Sequence, residues 1–172
     1  MKKIRLKIAS LDAVFDPLDP EAIPNRRLSA DWLEYVFEMM EERDREFGGL
    51  SLVIPPDVLG PRAPQEIVDD MKRQLIAHDE SLRVKLKKNF RTGRVTLLLA
   101  LVVLAVFESL SVLSGDFNLG PFQQTFSEGF LIIGWVALWR PVEILLYDWW
   151  PIVDERRKVR KLLNGKIEVV SP

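Results

Sequence analysis

VTLLLALVVLAVFESLSVL, residues 95–113, and FLIIGWVALWRPVEILLYDWW, residues 130–150, decide how this chain folds. Each is close to the ~20 apolar residues that a helix needs to cross a bilayer. Between them lies SGDFNLGPFQQTFSEG, residues 114–129, which holds Asp116 and Glu128 but no Lys or Arg. Outside them cations crowd. Arg83, Lys85, Lys87, Lys88, Arg91 and Arg94 precede the first stretch; Arg156, Arg157, Lys158, Arg160 and Lys161 follow the second. Positive charge is retained on the cytoplasmic face, so the pattern predicts two crossings, an outer connection and both termini in the cytoplasm. A buried hairpin inside a soluble protein is the competing fold, and 172 residues are too few to wrap two such helices.

Composition excludes several chemistries. The chain has no cysteine, which removes disulfides, thiolate metal sites and cysteine nucleophiles. A net charge of −1 offers no bulk attraction to nucleic acid. Mean hydropathy is +0.04, an average over a polar domain and an apolar hairpin that describes neither. The opening MKKIRLKIASLDAVF starts basic but lacks the apolar core of a signal peptide, since Arg5, Lys7 and Asp12 interrupt it. It is expected to be a strand of the mature protein.

Residues 1–92 are expected to form a small cytoplasmic domain of β-α-β-α order. Ile4, Leu6 and Ile8 alternate with Lys3, Arg5 and Lys7, as in a half-buried strand. Pro17, Pro20 and Pro24 mark a loop. Ser29 can cap a helix starting at Ala30, whose core stripe is Trp32, Leu33, Val36, Phe37 and Met40. Gly48-Gly49 ends it, and Leu50 to Ile54 read as a buried strand. Pro61 keeps the next stretch irregular. Pro64 suits the first turn of a second helix carrying Ile67, Val68, Met71, Leu75, Leu82 and Leu86, with a bend or an unbroken helix at Gly93. Residues 93–153 then form the transmembrane hairpin, and residues 154–172 a basic cytoplasmic tail. Two parallel strands make no stable sheet, so KIEVV, residues 166–170, is expected to join them or a neighbouring subunit; a frayed tail is the alternative.

Charges inside lipid are costly unless paired or hydrated. The spans hold Glu108, Arg140 and Glu143. Counted from the ends of each stretch, Glu108 and Arg140 fall within about 5 Å in depth, and Glu143 lies one turn beyond Arg140. The three are expected to cluster, either as glue within or between hairpins or lining a pore. Pro141 frees the Ala137 carbonyl and predicts a kink. Tyr147, Asp148, Trp149 and Trp150 read as an interfacial aromatic belt, with Asp148 capping a Trp edge or meeting Arg94. Gly120-Pro121 marks an outer turn. Ser127, Gly129 and Gly134 permit close helix approach. The basic flanks also suit anionic lipid headgroups.

Other chemistry is thin. The single His78 reads as a surface residue beside Asp79 and Glu80, and one His builds no typical zinc site. Asp16, Asp19 and Glu21 in DPLDPE lack calcium-loop spacing. No phosphate loop, nucleophile elbow or paired-His motif occurs. No metal, cofactor or catalytic activity is expected.

The stretch GWVALWRPVEILLYDWWPIVDERR, residues 134–157, resembles the signature of a family of uncharacterised bacterial two-span membrane proteins. The features are Gly93-Arg94 at the first span, Trp139-Arg140-Pro141 in the second, then Leu146, Tyr147, Asp148, Trp149, Trp150 and Pro151. The resemblance implies a β-α-β-α cytoplasmic region and the bacterial inner membrane, and it implies no activity. The mitochondrial calcium uniporter is similar in its soluble domain, span, link and Trp- and Pro-bearing span. It places an acid directly before its Pro, where this chain has Arg140, and its link is shorter, so no ion site carries over. The expected fold is therefore an α+β membrane protein, and the expected function a homo-oligomeric scaffold or interaction protein. The alternative is a small oligomeric ion or solute channel.

Overall fold

A computed structural model describes residues 2–42, 47–116 and 123–170. The chain divides into two units, Met1–Arg83 with Asp154–Pro172, and Val84–Val153. The first division falls earlier than the expected 92/93: Leu82 is the last buried residue of its helix before Gly93.

The first unit is built on a three-stranded sheet in the order β1-β2-β3, all parallel. The strands are β1 (Lys2–Lys7), β2 (Phe47–Val53) and β3 (Lys166–Val170). The alternation in β1 buries Ile4 and Leu6, with Ile8 just beyond the strand, and exposes Lys3, Arg5 and Lys7. Register sets Ile4, Leu50 and Ile167 in one row and Leu6, Leu52 and Val169 in the next. One apolar face therefore runs across all the strands. On the other face Glu168 pairs with Lys166 and Lys3, which hold its carboxyl down to about 2.

Parallel neighbours cannot be joined by a tight hairpin, so each join is a crossover. The first carries α1 (Ala30–Glu42). Ser29 Oγ accepts the Trp32 amide at 3.4 Å, and Trp32, Leu33, Val36, Phe37 and Met40 form the buried stripe. The second crossover carries α2 (Pro56–Leu59), α3 (Pro64–Asp116), α4 (Gln123–Leu146) and α5 (Trp150–Asn164). Ile67, Val68, Met71, Leu75 and Leu82 of α3 and Val159 and Leu162 of α5 are buried.

Several expectations change. The tail joins the sheet through β2, and not as a frayed end. β2 starts at Phe47 and includes Gly48-Gly49, where a helix stop was expected. Gly49 has φ 147, and a Cβ there would lie 2.2 Å from the Lys166 carbonyl oxygen. The glycine is what lets β3 approach. α3 runs through Gly93 without a break, one of the two forms expected there, and α4 continues past Pro141 to a turn at Tyr147 to Trp149. The turn expected at Gly120-Pro121 lies outside the described residues.

Two helices, within Pro64–Leu113 and Glu128–Asn164, are long and apolar enough to cross a membrane, and only 6% and 17% of their most apolar windows are buried. An all-round apolar helix in the core of a soluble protein would be covered.

Gly49→Ala is expected to destabilise the sheet unit by roughly 1–3 kcal/mol, the scale of a residue forced into a sparsely populated backbone conformation. Hydrogen exchange at residues 166–170 measures it: protection should fall there first.

Candidate functional site

Within Val84–Val153, α3 and α4 touch along one line. A Cβ on Gly93 would lie 2.7 Å from Leu145 Cδ2, and one on Gly134 would lie 2.8 Å from Leu104 Cδ1 and 3.3 Å from Leu104 Cα. The Phe107 and Phe130 rings are 6.0 Å apart, and Phe90 stacks on Trp149 at 6.3 Å. Each step forward on α3 is thus matched by a step back on α4. Gly129 by contrast has open space around it.

This register moves the charges. Arg140 comes level with Leu98 and Glu108 with the neighbourhood of Phe130, about 15 Å apart along the helices. The expected 5 Å assumed that residues 95 and 150 share a depth; the helices have slid by about two turns. Arg140 is bound on its own helix side instead. Nη1 lies 2.9 Å from Glu143 Oε2, and Nη2 lies 3.6 Å from Asp148 Oδ2. Glu108 is exposed and has no ion pair among the described residues. Within this chain the expected pair Arg140 and Glu143 is joined by Asp148, and Glu108 lies apart. Of the two partners expected for Asp148, a Trp edge or Arg94, Arg94 instead donates Nε–H to the Phe90 carbonyl at 3.3 Å.

The belt residues surround this group. Tyr147, Asp148 and Trp149 form the turn between α4 and α5. Trp149 is half-buried between Phe90 and Trp150, with the two Trp rings 5.7 Å apart, while Tyr147 and Trp150 are exposed.

The sheet unit holds a second set of charges, and its acids escaped the sequence reading. Asp79 accepts Nε–H of Arg156 at 2.8 Å and of Arg160 at 3.1 Å. These guanidinium groups, Arg156 foremost, hold the Asp79 carboxyl below its usual range. His78 Nε2 lies 2.8 Å from Glu155 Oε1, so His78 is a half-buried pairing residue and not a free surface one. Lys158 pairs with Glu41 and Asp154, and the Glu41 hydrogen bond most of all raises its pKa. A signal was present: Asp79 lies between Leu75 and Leu82 at helical spacing, and an acid on a core stripe needs a cation. Beside this clasp, a cavity of about 440 Å³ has Ala30, Leu33 and Phe37 as its apolar wall, with Glu34, Glu38 and Glu155 at the rim.

No candidate metal centre emerges. No group of three or more His, Cys, Asp or Glu is placed to hold a metal ion among the described residues. In the DPLDPE loop, Asp19 binds the backbone N–H groups of Glu21 and Arg27 and the Arg27 side chain. Those backbone donors lower its pKa, and its oxygens close the loop. Comparison with protein-family models, with curated proteins and with solved structures gave no match.

Two measurements check these geometries. Asp79→Asn should cost roughly 2 kcal/mol at neutral pH, the scale of hydrogen bonds to charged groups. A carboxyl with a depressed folded-state pKa stabilises above its unfolded value near 4 and loses that effect as pH falls through the folded one. The gap between wild type and Asp79→Asn in thermal unfolding should therefore close under acid. In double-mutant cycles in detergent, Arg140→Leu should couple to Glu143→Gln or Asp148→Asn by about 0.5 kcal/mol or more, and to Glu108→Gln by nothing measurable.

Proposed function

We propose that this chain is an integral membrane scaffold, an interaction protein that assembles as a homo-oligomer in the bacterial inner membrane with both termini in the cytoplasm. The observation that carries the proposal is the crossover from β2 to β3. One strand precedes the two apolar stretches, the other follows them, and the two are hydrogen-bonded neighbours. A chain that leaves the sheet unit through one stretch must return through the other, so both ends share a side. The Lys and Arg asymmetry then selects the cytoplasm. The apolar windows, scarcely buried in the chain itself, find their solvent in lipid.

The charge positions support this reading. Arg140, Glu143 and Asp148 lie toward the Phe90–Trp149 end of the hairpin, where a long cationic side chain reaches the interface. Between that end and Glu108 the depth is apolar. Residues 95–107 hold one polar side chain, Thr96, whose hydroxyl bonds its own helix at the Thr92 carbonyl, 2.9 Å away. A pore would need polar positions throughout that depth, so the channel alternative has less support than the scaffold. Glu108, exposed on an apolar helix, is the residue that a second copy would cover.

The chain has no cysteine, so single introduced cysteines report position cleanly. An impermeant maleimide should label Asn118→Cys in intact spheroplasts and Leu18→Cys only after lysis. The reverse pattern would overturn the orientation, and protein left in the aqueous supernatant would overturn the membrane reading. Mass in detergent should be a multiple of 19.8 kDa; a monomer would end the homo-oligomer.

A further inference from the structure

Resting on the membrane reading, we propose that α3 binds the phosphate of anionic phospholipids through the face made by Lys87, Lys88, Arg91 and Arg94, and that the acid-paired Arg156, Lys158 and Arg160 of α5 take no part. A count of charges treats the two basic flanks alike. Their side chains do not behave alike. On α5, Arg156 and Arg160 are held by Asp79, and Lys158 by Glu41 and Asp154. On α3, residues 81–107 contain no Asp or Glu at all. Arg83 pairs back to Glu80 at 3.5 Å. Beyond it, Lys87, Lys88, Arg91 and Arg94 are exposed and have no carboxylate partner among the described residues.

Helix geometry gathers these four. Lys87 and Arg91 are one turn apart, as are Lys88 and Arg91, and Arg91 and Arg94. They share a face that points away from buried Gly93. Like charges at this spacing disfavour a helix, and no acid of the chain relieves them. A phosphate between Lys87 and Arg91 would, since side chains one turn apart start only about 5–6 Å from each other. Arg adds a fork of donors matched to phosphate oxygens; Arg94 keeps its Nη groups free while its Nε–H bonds the Phe90 carbonyl. The apolar stretch begins at the next residue, Val95. A ligand there must carry its anion immediately above hydrocarbon, and that is the anatomy of a phospholipid and not of a free phosphate.

The test uses the full chain reconstituted in phosphatidylcholine vesicles with graded phosphatidylglycerol. Energy transfer from the protein's tryptophans to dansyl-labelled phosphatidylglycerol or phosphatidylcholine reads which lipid surrounds it. Wild type should prefer phosphatidylglycerol. The quadruple variant Lys87→Gln, Lys88→Gln, Arg91→Gln, Arg94→Gln should lose at least about tenfold of that preference, given roughly fivefold per cation near a charged surface. The milder pair Lys87→Gln and Arg91→Gln should lose part of it. Arg156→Gln with Arg160→Gln should unfold at lower temperature yet keep the preference. Equal preference in wild type and the quadruple variant would overturn the proposal, as would abolition of the preference by the α5 pair. Displacement by inorganic pyrophosphate would overturn the lipid in favour of a soluble phosphate. Failure of wild type to resist carbonate extraction from any vesicle would instead sink the membrane reading beneath it.

Discussion

Hydrogen bonding between β2 and β3 is the constraint on which the rest depends. It pairs Gly49 to Val53 with Lys166 to Val170, in parallel. Both apolar helices lie in the chain between these strands, so they are an excursion from a sheet that must close again. Two strands alone would be marginal; the third brings Ile167 into the row of Ile4 and Leu50 and completes the apolar face. Closure therefore joins residues more than a hundred positions apart, a high entropic demand on folding. Gly49 permits the final approach, since a side chain there would block it.

Charge pairing reinforces the same closure. α5 leads into β3, and Asp79 and His78 on α3 grip it through Arg156, Arg160 and Glu155. Glu41 on α1 adds Lys158. Ion pairs with well-exposed members contribute little, but Asp79 and Arg156 are both largely covered, with side chains 18% and 20% exposed. Removing one of them leaves the other a poorly solvated charge, which is where such pairs matter. The cations that look like a topology signal in the sequence are thus divided by their partners. Arg156, Lys158 and Arg160 of α5 help to hold the fold, and the cations of α3 between Lys87 and Arg94 remain available.

What the sequence revealed followed from periodicity. The alternation of Ile4 and Leu6 and the spacing of Trp32, Leu33, Val36, Phe37 and Met40 foretold burial correctly, because patterns of two and of 3.6 residues report one face each. The two apolar stretches were plain from length alone. Tertiary placement was not. Gly48-Gly49 looked like punctuation because its meaning depends on Lys166, more than a hundred residues away. Asp79 drew no notice beyond its place beside His78, because its cations lie on a helix reached only after both apolar stretches. Glu143 was correctly expected beside Arg140, but Glu108 was not, for a related reason: depth was counted from the ends of apolar runs, and those ends are not where the helices meet.

Two prolines bear differently on α4 and on the turn after it. Pro141 lies within α4, is buried, and removes one donor without ending the helix. Pro151 has a different effect. A helix continuing from α4 would need an N–H at residue 151 to bond the Tyr147 carbonyl, and proline has none. The chain instead ends α4 at Leu146, lets the Trp150 N–H take the Tyr147 carbonyl at 3.1 Å, and starts α5 with Pro151 in its first turn, where no donor is missed. The turn so formed carries Trp149 onto Phe90 and Asp148 to within 3.6 Å of Arg140. The placement of Asp148 beside Arg140 thus follows from a turn at the end of the apolar run, which counting along that run does not show.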